Sequence, residues 1–376
     1  MNNQDKTHIL RGEIEIRKLA SIKTVSDIIP IEGRDKIVLA IIDGWSVIVK
    51  KDEFKVGDNC VYVEIDSVLP DKPEFDFLRK NNFRIKTMKM AGVISQGICF
   101  PLDILPEKPK GTYEVDEDVT GAIGIKQYDK TMDKDPVETT IAPKNKYPQF
   151  LMRMGWFRKL VLPKKQAKGF PSFISKTDET RIQNMPFILK DKREWIATEK
   201  IDGQSGTFCL VRHKSKVPFV KDKFEYMVCS RNLRLFSKDN SSYWRVSDKY
   251  QIEKVLRDII GDRDWIALQG ECIAPNVQGN KYKVADADLY AFNLIYPTGR
   301  LDSMTAKDIC NQHGMKFVPI LATDYVLPDT VNEVLEYAHG QSQLGDTLRE
   351  GIVFRSKDGQ KSFKAVDPLF LLKYNE

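Results

Sequence analysis

Cysteine, histidine and long apolar runs are all scarce in this sequence of 376 residues. The six cysteines include no CxxC pair, which argues against a zinc site or a disulfide framework and favours reduced thiols. The four histidines, His8, His213, His313 and His339, lack metal-ligand spacing. No apolar stretch approaches the ~20 residues that cross a bilayer, and the N-terminal residues lack the apolar core of a signal peptide. We therefore expect a cytoplasmic protein with no membrane segment.

The composition is typical of a globular chain, with 41% hydrophobic and 30% charged residues and length enough for two domains. The net charge of +6 is mild, but residues 141–170 hold eight Lys and Arg and no acidic residue, with five aromatic residues interleaved. Cations that neutralise phosphates beside rings that stack on bases fit nucleic-acid binding. The alternative is a solvated basic linker whose aromatic residues pack on a neighbouring domain.

The N-terminal third is rich in β-branched and aromatic residues. Residues 36–51 are interrupted by Asp43-Gly44, a hairpin signal, and further short strands are predicted in residues 59–70 and 92–105. Several short strands with glycine turns and few helices favour a small barrel, with the OB fold as the leading candidate. We assign this OB-like domain to residues 1–125.

The rest of the chain divides into a linker and a second domain. Residues 126–170 are expected to form a basic linker with a short helix at 149–161, and strands alternate with helices from residue 171 to 376. The overall fold class is therefore α+β. Helical spacing is found at residues 247–260, 303–314 and 329–340, with predicted N-caps at Ser247, Ser303 and Asp329.

The chemistry centres on Glu199-Lys200-Ile201-Asp202-Gly203, at the end of a predicted strand. A neutral lysine amine can attack the α-phosphorus of a nucleoside triphosphate as pyrophosphate departs, forming a phosphoramide. Free lysine has a pKa near ~10.4, so the site must favour the neutral amine through nearby cations, metal or desolvation. Gly203 allows a tight turn and close approach of the backbone to a ligand. Taken alone, these residues also fit an exposed turn.

Downstream residues supply complementary groups in a fixed order. The first pair offers a guanidinium and an amide for ribose and phosphate, and two glutamates offer carboxylates. Tyr290 and Phe292 share a strand face, so that one of them can stack on a purine, and Val353 offers an apolar surface for the same ring. Two lysines offer cations for the α-phosphate. In chain order these residues are Arg231 and Asn232, Glu271, Tyr290 and Phe292, Glu350 and Val353, and Lys361 and Lys364.

In order and spacing these segments resemble motifs I, Ia, III, IIIa, IV and V of the covalent nucleotidyltransferase superfamily of ligases and mRNA capping enzymes. Within it, the chain resembles RNA ligases of the Deinococcus and Naegleria type, which place an OB domain before the nucleotidyltransferase domain. The resemblance spans nearly the whole chain apart from the linker. It implies an OB-like β-barrel followed by a mixed α/β nucleotidyltransferase domain of antiparallel sheets and helices. Further marks are KTDETRIQN (176–184), CIAPNVQGNKY (272–282) and SFKAVDPLFLLK (362–373), with segments 42–70 and 83–102 in the N-terminal part.

The resemblance implies a role for each matching residue. Lys200 would accept AMP, and Asp202, Glu271 and Glu350 would hold Mg²⁺ or Mn²⁺ directly or through water. The usual motif V pair is Lys-x-Lys, whereas the two lysines here are three residues apart, which leaves open which of them contacts the α-phosphate. The other implied nucleotide-binding residues are Arg181, Glu199, Ile201, Gly203, Arg231, Asn232, Phe292, Val353, Lys361 and Lys364. Plainer interpretations are surface salt bridges for the glutamates, a core position for Phe292 and a solvated Arg181.

The implied function is ATP-dependent RNA ligation in RNA repair, through lysyl–AMP on Lys200, transfer of AMP to a 5′-phosphate and attack by a 3′-OH. A capping guanylyltransferase uses the same lysine chemistry but carries its OB domain after motif V, where only twelve residues follow Lys364 here. A second alternative is a non-catalytic OB-type RNA-binding protein with a degenerate ligase domain. The expected partners are RNA or a nicked duplex that contains RNA, with no obligate protein partner. The residues do not distinguish a 3′-ribose from a deoxyribose, or a splinted nick from single-stranded ends.

Overall fold

The computed structural model describes residues 18–108, 111–128, 167–215, 217, 219–235 and 241–374. The predicted helix at 149–161 and nearly all of the basic segment 141–170 lie outside these residues. A barrel-like N-terminal sheet is followed by two sheets with flanking helices, which confirms the predicted α+β class. Within the described ranges, no helix is long and apolar enough to span a membrane.

The N-terminal part is built from short strands. They are β1 (Ala20–Pro30), β2 (Ile37–Ile42), β3 (Trp45–Lys50), β4 (Asn59–Val63), β5 (Ser67–Val68), β6 (Met88–Met90), β7 (Val93–Ser95), β8 (Ile98–Phe100) and β9 (Lys126–Gln127). Two 3-10 helices, Pro73–Asn81 and Leu102–Ile104, and the short helix α1 (Thr120–Ile123) lie between strands.

The main N-terminal sheet has the order β3-β2-β1-β4-β8 and is nearly closed. Strand β1 serves both halves, because its first residues pair with β4 and its later ones pair with β2, with an irregular register after Val25. The backbone N–H of Gln96, just after β7, donates to the carbonyl of Ser46 in β3 at 2.8 Å, which brings the two ends together. The predicted hairpin is confirmed, since β2 and β3 meet at Asp43, whose φ of 52° suits the turn.

The C-terminal part contains two antiparallel-rich sheets. The larger has the order β10-β14-β13-β12-β15-β16-β17, with β18 paired to β16, and the smaller has the order β19-β11-β20-β21. Their strands are β10 (Ala167–Gly169), β11 (Glu194–Lys200), β12 (Gln204–His213), β13 (Lys223–Cys229), β14 (Leu233–Leu235), β15 (Trp265–Ile273), β16 (Asp288–Tyr296), β17 (Gly299–Arg300), β18 (Lys316–Phe317), β19 (Ile320–Val326), β20 (Gly351–Ser356) and β21 (Ser362–Val366).

Each sheet buries one face against helices. The larger sheet packs with α2 (Ser242–Lys249), α3 (Ile252–Ile259) and α4 (Ser303–Gln312) in one apolar core. The smaller sheet packs with α5 (Val331–Ala338) in a second core, which contains Trp195 and Phe354. The opposite face of the smaller sheet is therefore free to carry polar groups.

The helix boundaries differ from the sequence prediction in three places. The helix predicted at 247–260 is two helices, because Gln251 takes a left-handed φ of 48° between α2 and α3, and Ser247 lies inside α2. The N-cap of α4 is Asp302 rather than Ser303, since its carboxylate accepts from the backbone of the first turn. The N-cap of α5 is Thr330 rather than Asp329, and it forms a capping box with Glu333.

The barrel and the C-terminal part are packed together. Helix α6 (Pro368–Tyr374) contributes Phe370 and Leu371 to the apolar core of the barrel. At the same contact the indole N–H of Trp45 donates to the Asn184 side-chain oxygen at 2.6 Å, and the Asn184 amide donates to Glu64 at 2.7 Å. The N-terminal barrel is thus packed against the part of the chain that contains Lys200.

Candidate functional site

Lys200 is the last residue of β11, and the neighbouring strand β20 sets its surroundings. Lys200 pairs with Gly351, and its Nζ atom lies 2.6 Å from Oε2 of Glu350, the residue before Gly351. Gly351 has a φ of 156°, and a Cβ atom there would lie 2.1 Å from the carbonyl oxygen of Ala365. Only glycine therefore allows the strand to deliver Glu350 to the lysine at this point.

The alternation of β11 sends neighbouring side chains to opposite faces of the smaller sheet. Thr198 and Lys200 face the polar side. Glu199 is buried and accepts hydrogen bonds from the Ser342 hydroxyl at 2.5 Å and the Gln343 backbone N–H at 2.8 Å. The Glu199 carboxylate is thus engaged by the loop after α5 rather than by the groups around Lys200.

Glu271 approaches Lys200 from the larger sheet. It lies in β15 opposite Ser205, whose hydroxyl donates to it at 3.1 Å, and the backbone N–H of Gly203 donates to it at 3.2 Å. Burial raises the pKa of Glu271 to about 8, against the lowering effect of Lys200 and with a further raising effect of Glu350. Glu271, Glu350 and Lys200 therefore share one electrostatic environment.

The ammonium of Lys200 is stabilised by this acidic setting. Burial alone would lower its pKa, but Glu350, Glu271 and Asp202 together raise the pKa above its usual value. The carboxylates thus hold the lysine in its charged form until another cation offsets them. The local groups by themselves do not make this amine a nucleophile.

The acidic residues around Lys200 suit a hard divalent cation in their chemistry, since carboxylate oxygens are the ligands that Mg²⁺ and Mn²⁺ prefer. Across the described residues, no group of three or more His, Cys, Asp or Glu side chains is already arranged around one point. Asp202 instead forms an ion pair with Lys281, and both side chains are largely buried. Glu271 and Glu350 meet at Lys200 and fit a metal there, and both Glu350 and Asp202 would have to exchange a lysine partner to bind it.

Lys364 lies on the same face of the smaller sheet as Lys200. The register places Thr198 opposite Val353 and Val353 opposite Lys364. The charge of Lys364 affects Asp178. Burial would raise the pKa of Asp178, but Arg231, Lys364 and Lys200 together keep this pKa below its usual value. Lys364, Lys200 and Arg231 thus act on the same carboxylate, Asp178, and we call the space around these four residues the cleft.

Lys361 is not part of this cleft. Its Nζ atom lies 3.0 Å from Asp191, and its backbone N–H donates to Ser356, which pairs with Trp195 at the other end of β11 from Lys200. Lys361 also precedes β21, which begins at Ser362, whereas Lys364 lies within the strand. Of the two candidate lysines, the structure brings only Lys364 to the predicted site.

Phe292 and Val353 come from different sheets. The Arg355 guanidinium lies 5.7 Å from the centre of the Phe292 ring, and Arg355 shares a strand face with Val353 two residues away. The aromatic ring of the larger sheet therefore lies near the apolar floor of the smaller sheet. This pairing suits a flat heterocyclic ring.

The segment before the lysine is tied to the predicted phosphate-binding residues. Arg231 donates to both carboxylate oxygens of Asp178, at 2.7 and 2.6 Å, and Asn232 accepts from Lys176 at 3.1 Å. The Arg181 guanidinium lies 3.5 Å from Asp66 of the barrel, and the Arg181 backbone forms a β-bridge with Lys364.

Sequence reasoning missed several residues that shape the site. Glu179 binds the buried Arg355, and it also contacts Arg300 and Ser362. Lys281 holds Asp202. Each lies inside a segment that carried the resemblance, 176–184 or 272–282, but no spacing rule reveals the side chain it will contact.

Comparisons with known proteins agree with this architecture. A family model described as an OB-fold domain matches residues 19–102, and a model described as RNA ligase matches residues 193–374. No curated protein matches the chain.

Among solved structures, the chain is similar to Naegleria gruberi RNA ligase. For that protein solved with pyrophosphate, the sequences are 30% identical and the TM-score is 0.77, with 96% of this chain and 99% of that chain covered. A variant of the same ligase solved with ATP and Mn also gives 30% identity and a TM-score of 0.77, covering 96% and 100%. A variant solved with AMP and Mn gives 30% identity and a TM-score of 0.76, covering 95% and 99%.

Proposed function

The chain belongs to the RNA ligase family, and from this premise we propose that it is an ATP-dependent RNA ligase that works through lysyl–AMP on Lys200. It would join a 3′-OH end to a 5′-phosphate end, with nicks whose 3′-OH strand is RNA as the preferred substrate and RNA repair as the setting. The observation that carries the proposal is the position of Lys200. Its amine is paired with Glu350 and interacts electrostatically with Glu271, on the sheet face that also presents Lys364.

In the first step the neutral amine of Lys200 attacks the α-phosphorus of ATP, a N–P bond forms and the bond to pyrophosphate breaks. Lys364 would stabilise the charge that develops on the α-phosphate oxygens. Phe292 and Val353 would hold the adenine between the two sheets. Lys200 must lose a proton before this attack, and the carboxylates around it oppose that loss because they raise its pKa.

Glu271 and Glu350 are the residues that would hold Mg²⁺ or Mn²⁺. When bound, such an ion supplies positive charge that offsets both carboxylates and favours the neutral form of Lys200. Asp202, whose carboxylate forms an ion pair with Lys281, would act on the metal indirectly.

In the second step an oxygen of the RNA 5′-phosphate attacks the AMP phosphorus, the N–P bond to Lys200 breaks and a 5′–5′ pyrophosphate linkage forms. In the third step the 3′-OH attacks the activated 5′-phosphate and AMP leaves. Arg231 and Asn232 would contact the RNA phosphates. For this, Arg231 would exchange its present partner Asp178 for a phosphate, and Asn232 would exchange its partner Lys176.

Each part of the chain would have its own role in this reaction. Residues 1–125 would form the OB-like RNA-binding domain, 126–170 a basic linker, and 171–376 the ligase domain. The protein would act in the cytoplasm on RNA or on a nicked duplex that contains RNA, without an obligate protein partner. Its OB fold supports the binding role, since this fold is widely used to bind single strands.

The test is transfer of label from [α-³²P]ATP to the protein in the presence of Mg²⁺ or Mn²⁺. The wild-type chain should form an adduct that survives denaturing electrophoresis and is released by acidic hydroxylamine, and Lys200→Ala should form none while remaining folded. Label on the Lys200→Ala variant would refute the assignment. A wild-type chain that binds RNA without taking up label would support the non-catalytic alternative instead.

The substrate is tested separately with nicked duplexes that carry ribose or deoxyribose on either side of the nick. Sealing should depend on ribose on the 3′-OH strand. Equal sealing of an all-DNA nick would contradict the proposed RNA substrate while leaving the lysine chemistry intact.

A further inference from the structure

A buried cation lies directly behind the turn that carries Lys200. Lys281 follows β15 in the 3-10 turn region after Gln278–Asn280, and its side chain is only 9% exposed. Its Nζ atom forms an ion pair with Oδ2 of Asp202, which is 6% exposed. A buried side chain stays charged only where its partners compensate for the lost hydration, so the role of Lys281 can be inferred from the groups that it contacts.

The partners of Lys281 come from two directions. On one side is Asp202. On the other, the Nζ atom lies 5.0 Å from the ring centre of Phe370 and 4.5 Å from that of Tyr374, both in α6. Phe370 also belongs to the apolar core of the N-terminal barrel. Lys281 therefore connects the Lys200 turn to the helix that joins the two parts of the molecule.

The same segment holds the turn at two further points. The backbone N–H of Asp202 donates to the Tyr282 hydroxyl at 2.8 Å, and the Gln278 amide donates to the Gly203 carbonyl at 3.2 Å. Three neighbouring contacts on two consecutive residues of the turn leave it little freedom. The residue immediately before Asp202 and Gly203 is Ile201, and the one before that is Lys200.

We propose that Lys281 is a positioning residue for adenylylation of Lys200. It fixes the turn through Asp202, and its ammonium offsets the charge of the Asp202 carboxylate next to the glutamates that would hold the divalent cation. The proposal rests on the proposed function. It assigns Asp202 an indirect role toward the metal and gives the loop at 278–282 a part in the first step of the reaction.

A merely structural ion pair would affect folding and leave the chemistry of the folded enzyme unchanged. Lys281→Met keeps most of the volume and removes the charge, whereas Lys281→Arg keeps a cation between Asp202 and the two rings. Lys283→Met is the matched control, since Lys283 is an exposed lysine two residues further along the same loop. Thermal melting of each variant establishes that the measured protein is folded.

The first measurement is the single-turnover rate of enzyme–AMP formation. We expect Lys281→Met to slow it roughly 10- to 100-fold, the usual scale for residues that orient a metal or catalytic ligand. Lys281→Arg should recover most of the loss, and Lys283→Met should match the wild type. In the variant Lys281→Met combined with Asp202→Asn the rate should equal that of Asp202→Asn alone, because Lys281 acts through Asp202.

The second measurement is Mn²⁺ binding without nucleotide, followed by electron paramagnetic resonance. Lys281→Met removes a positive charge beside the acidic residues around Lys200, so it should bind Mn²⁺ more tightly, by roughly tenfold. Unchanged Mn²⁺ affinity together with an unchanged rate in folded Lys281→Met would overturn the proposal. Losses in the double variant that multiply would overturn it too. Failure of the wild type itself to take up label would instead count against the proposed function.

Discussion

The Nζ atom of Lys200 lies 2.6 Å from Oε2 of Glu350, although the two residues are 150 positions apart in the chain. They meet because β11 and β20 pair with Lys200 opposite Gly351. The contact explains why the pKa of Lys200 is raised even though its burial acts in the other direction. The reaction proposed for this amine requires that the same contact be released.

Glu350→Gln should therefore have two effects. It removes the strongest anionic partner of Lys200, and it removes one of the two glutamates that fit a metal. We expect enzyme–AMP formation to fall roughly 100-fold and Mn²⁺ binding to weaken in parallel, as measured by label transfer and by electron paramagnetic resonance. Glu336→Gln, at an exposed position on α5, is the control. Normal Mn²⁺ affinity in Glu350→Gln would show that this glutamate is not a metal ligand.

The two lysines near the C-terminal strand provide a matched pair. Lys364→Ala should slow enzyme–AMP formation about 100- to 1,000-fold, the scale for loss of one group that stabilises developing charge. Lys361→Ala should keep a rate close to that of the wild type, because Lys361 pairs with Asp191 away from the cleft. The opposite ranking would contradict the assignment of Lys364 to the α-phosphate.

Gly351 is required for steric reasons. In Gly351→Ala the new Cβ atom would meet the Ala365 carbonyl at 2.1 Å, in a backbone conformation with φ of 156°. We expect a loss of roughly 2 kcal/mol or more in the free energy of unfolding, measured by urea denaturation, together with loss of label transfer. Gly345→Ala is the control, since its Cβ would meet its nearest neighbour at an ordinary 3.7 Å. Equal stability of the two variants would contradict the steric argument.

Asp288 predicts a pH dependence of stability. Burial would raise its pKa, but hydrogen bonds from Lys316, Tyr250 and Lys249 lower the pKa below its usual value. A carboxyl group with a depressed folded-state pKa stabilises the fold above its unfolded pKa of about 3.9, and this contribution is lost as pH falls through the folded value.

Asp288→Asn should accordingly be less stable than the wild type at pH 7, by about 1–3 kcal/mol. The difference should shrink once the pH falls below about 4, where the wild-type carboxylate takes up a proton. Urea denaturation of both proteins across this range measures it. A difference that stays constant down to the lowest pH would assign the effect to packing rather than to charge.

The sequence allowed the pattern of the fold to be predicted where local chemistry decides it. Asp43 and Gly44 predicted the hairpin of β2 and β3 because a left-handed turn needs such residues. The order of Lys200, Glu271 and Glu350 predicted that they would meet, and the structure brings them together. These inferences needed only turn chemistry and a recognisable order of motifs.

What the sequence did not reveal depends on contacts between distant elements. The break at Gln251 interrupts a regular helical pattern, and no proline or glycine marks it. The contact of Lys281 with Asp202 spans 79 positions. Lys361 and Lys364 have different surroundings, because Lys361 precedes β21 and pairs with Asp191 whereas Lys364 pairs with Val353 within the sheet, and this becomes visible only when β21 is paired with β20.

The packing of Phe370 and Leu371 into the barrel has a consequence for how the molecule is made. A newly synthesised barrel lacks these side chains until the ribosome has completed the ligase domain, so its interior stays unfinished while the rest of the chain emerges. Premature termination before α6 would therefore damage the barrel, although the barrel is translated before the ligase domain.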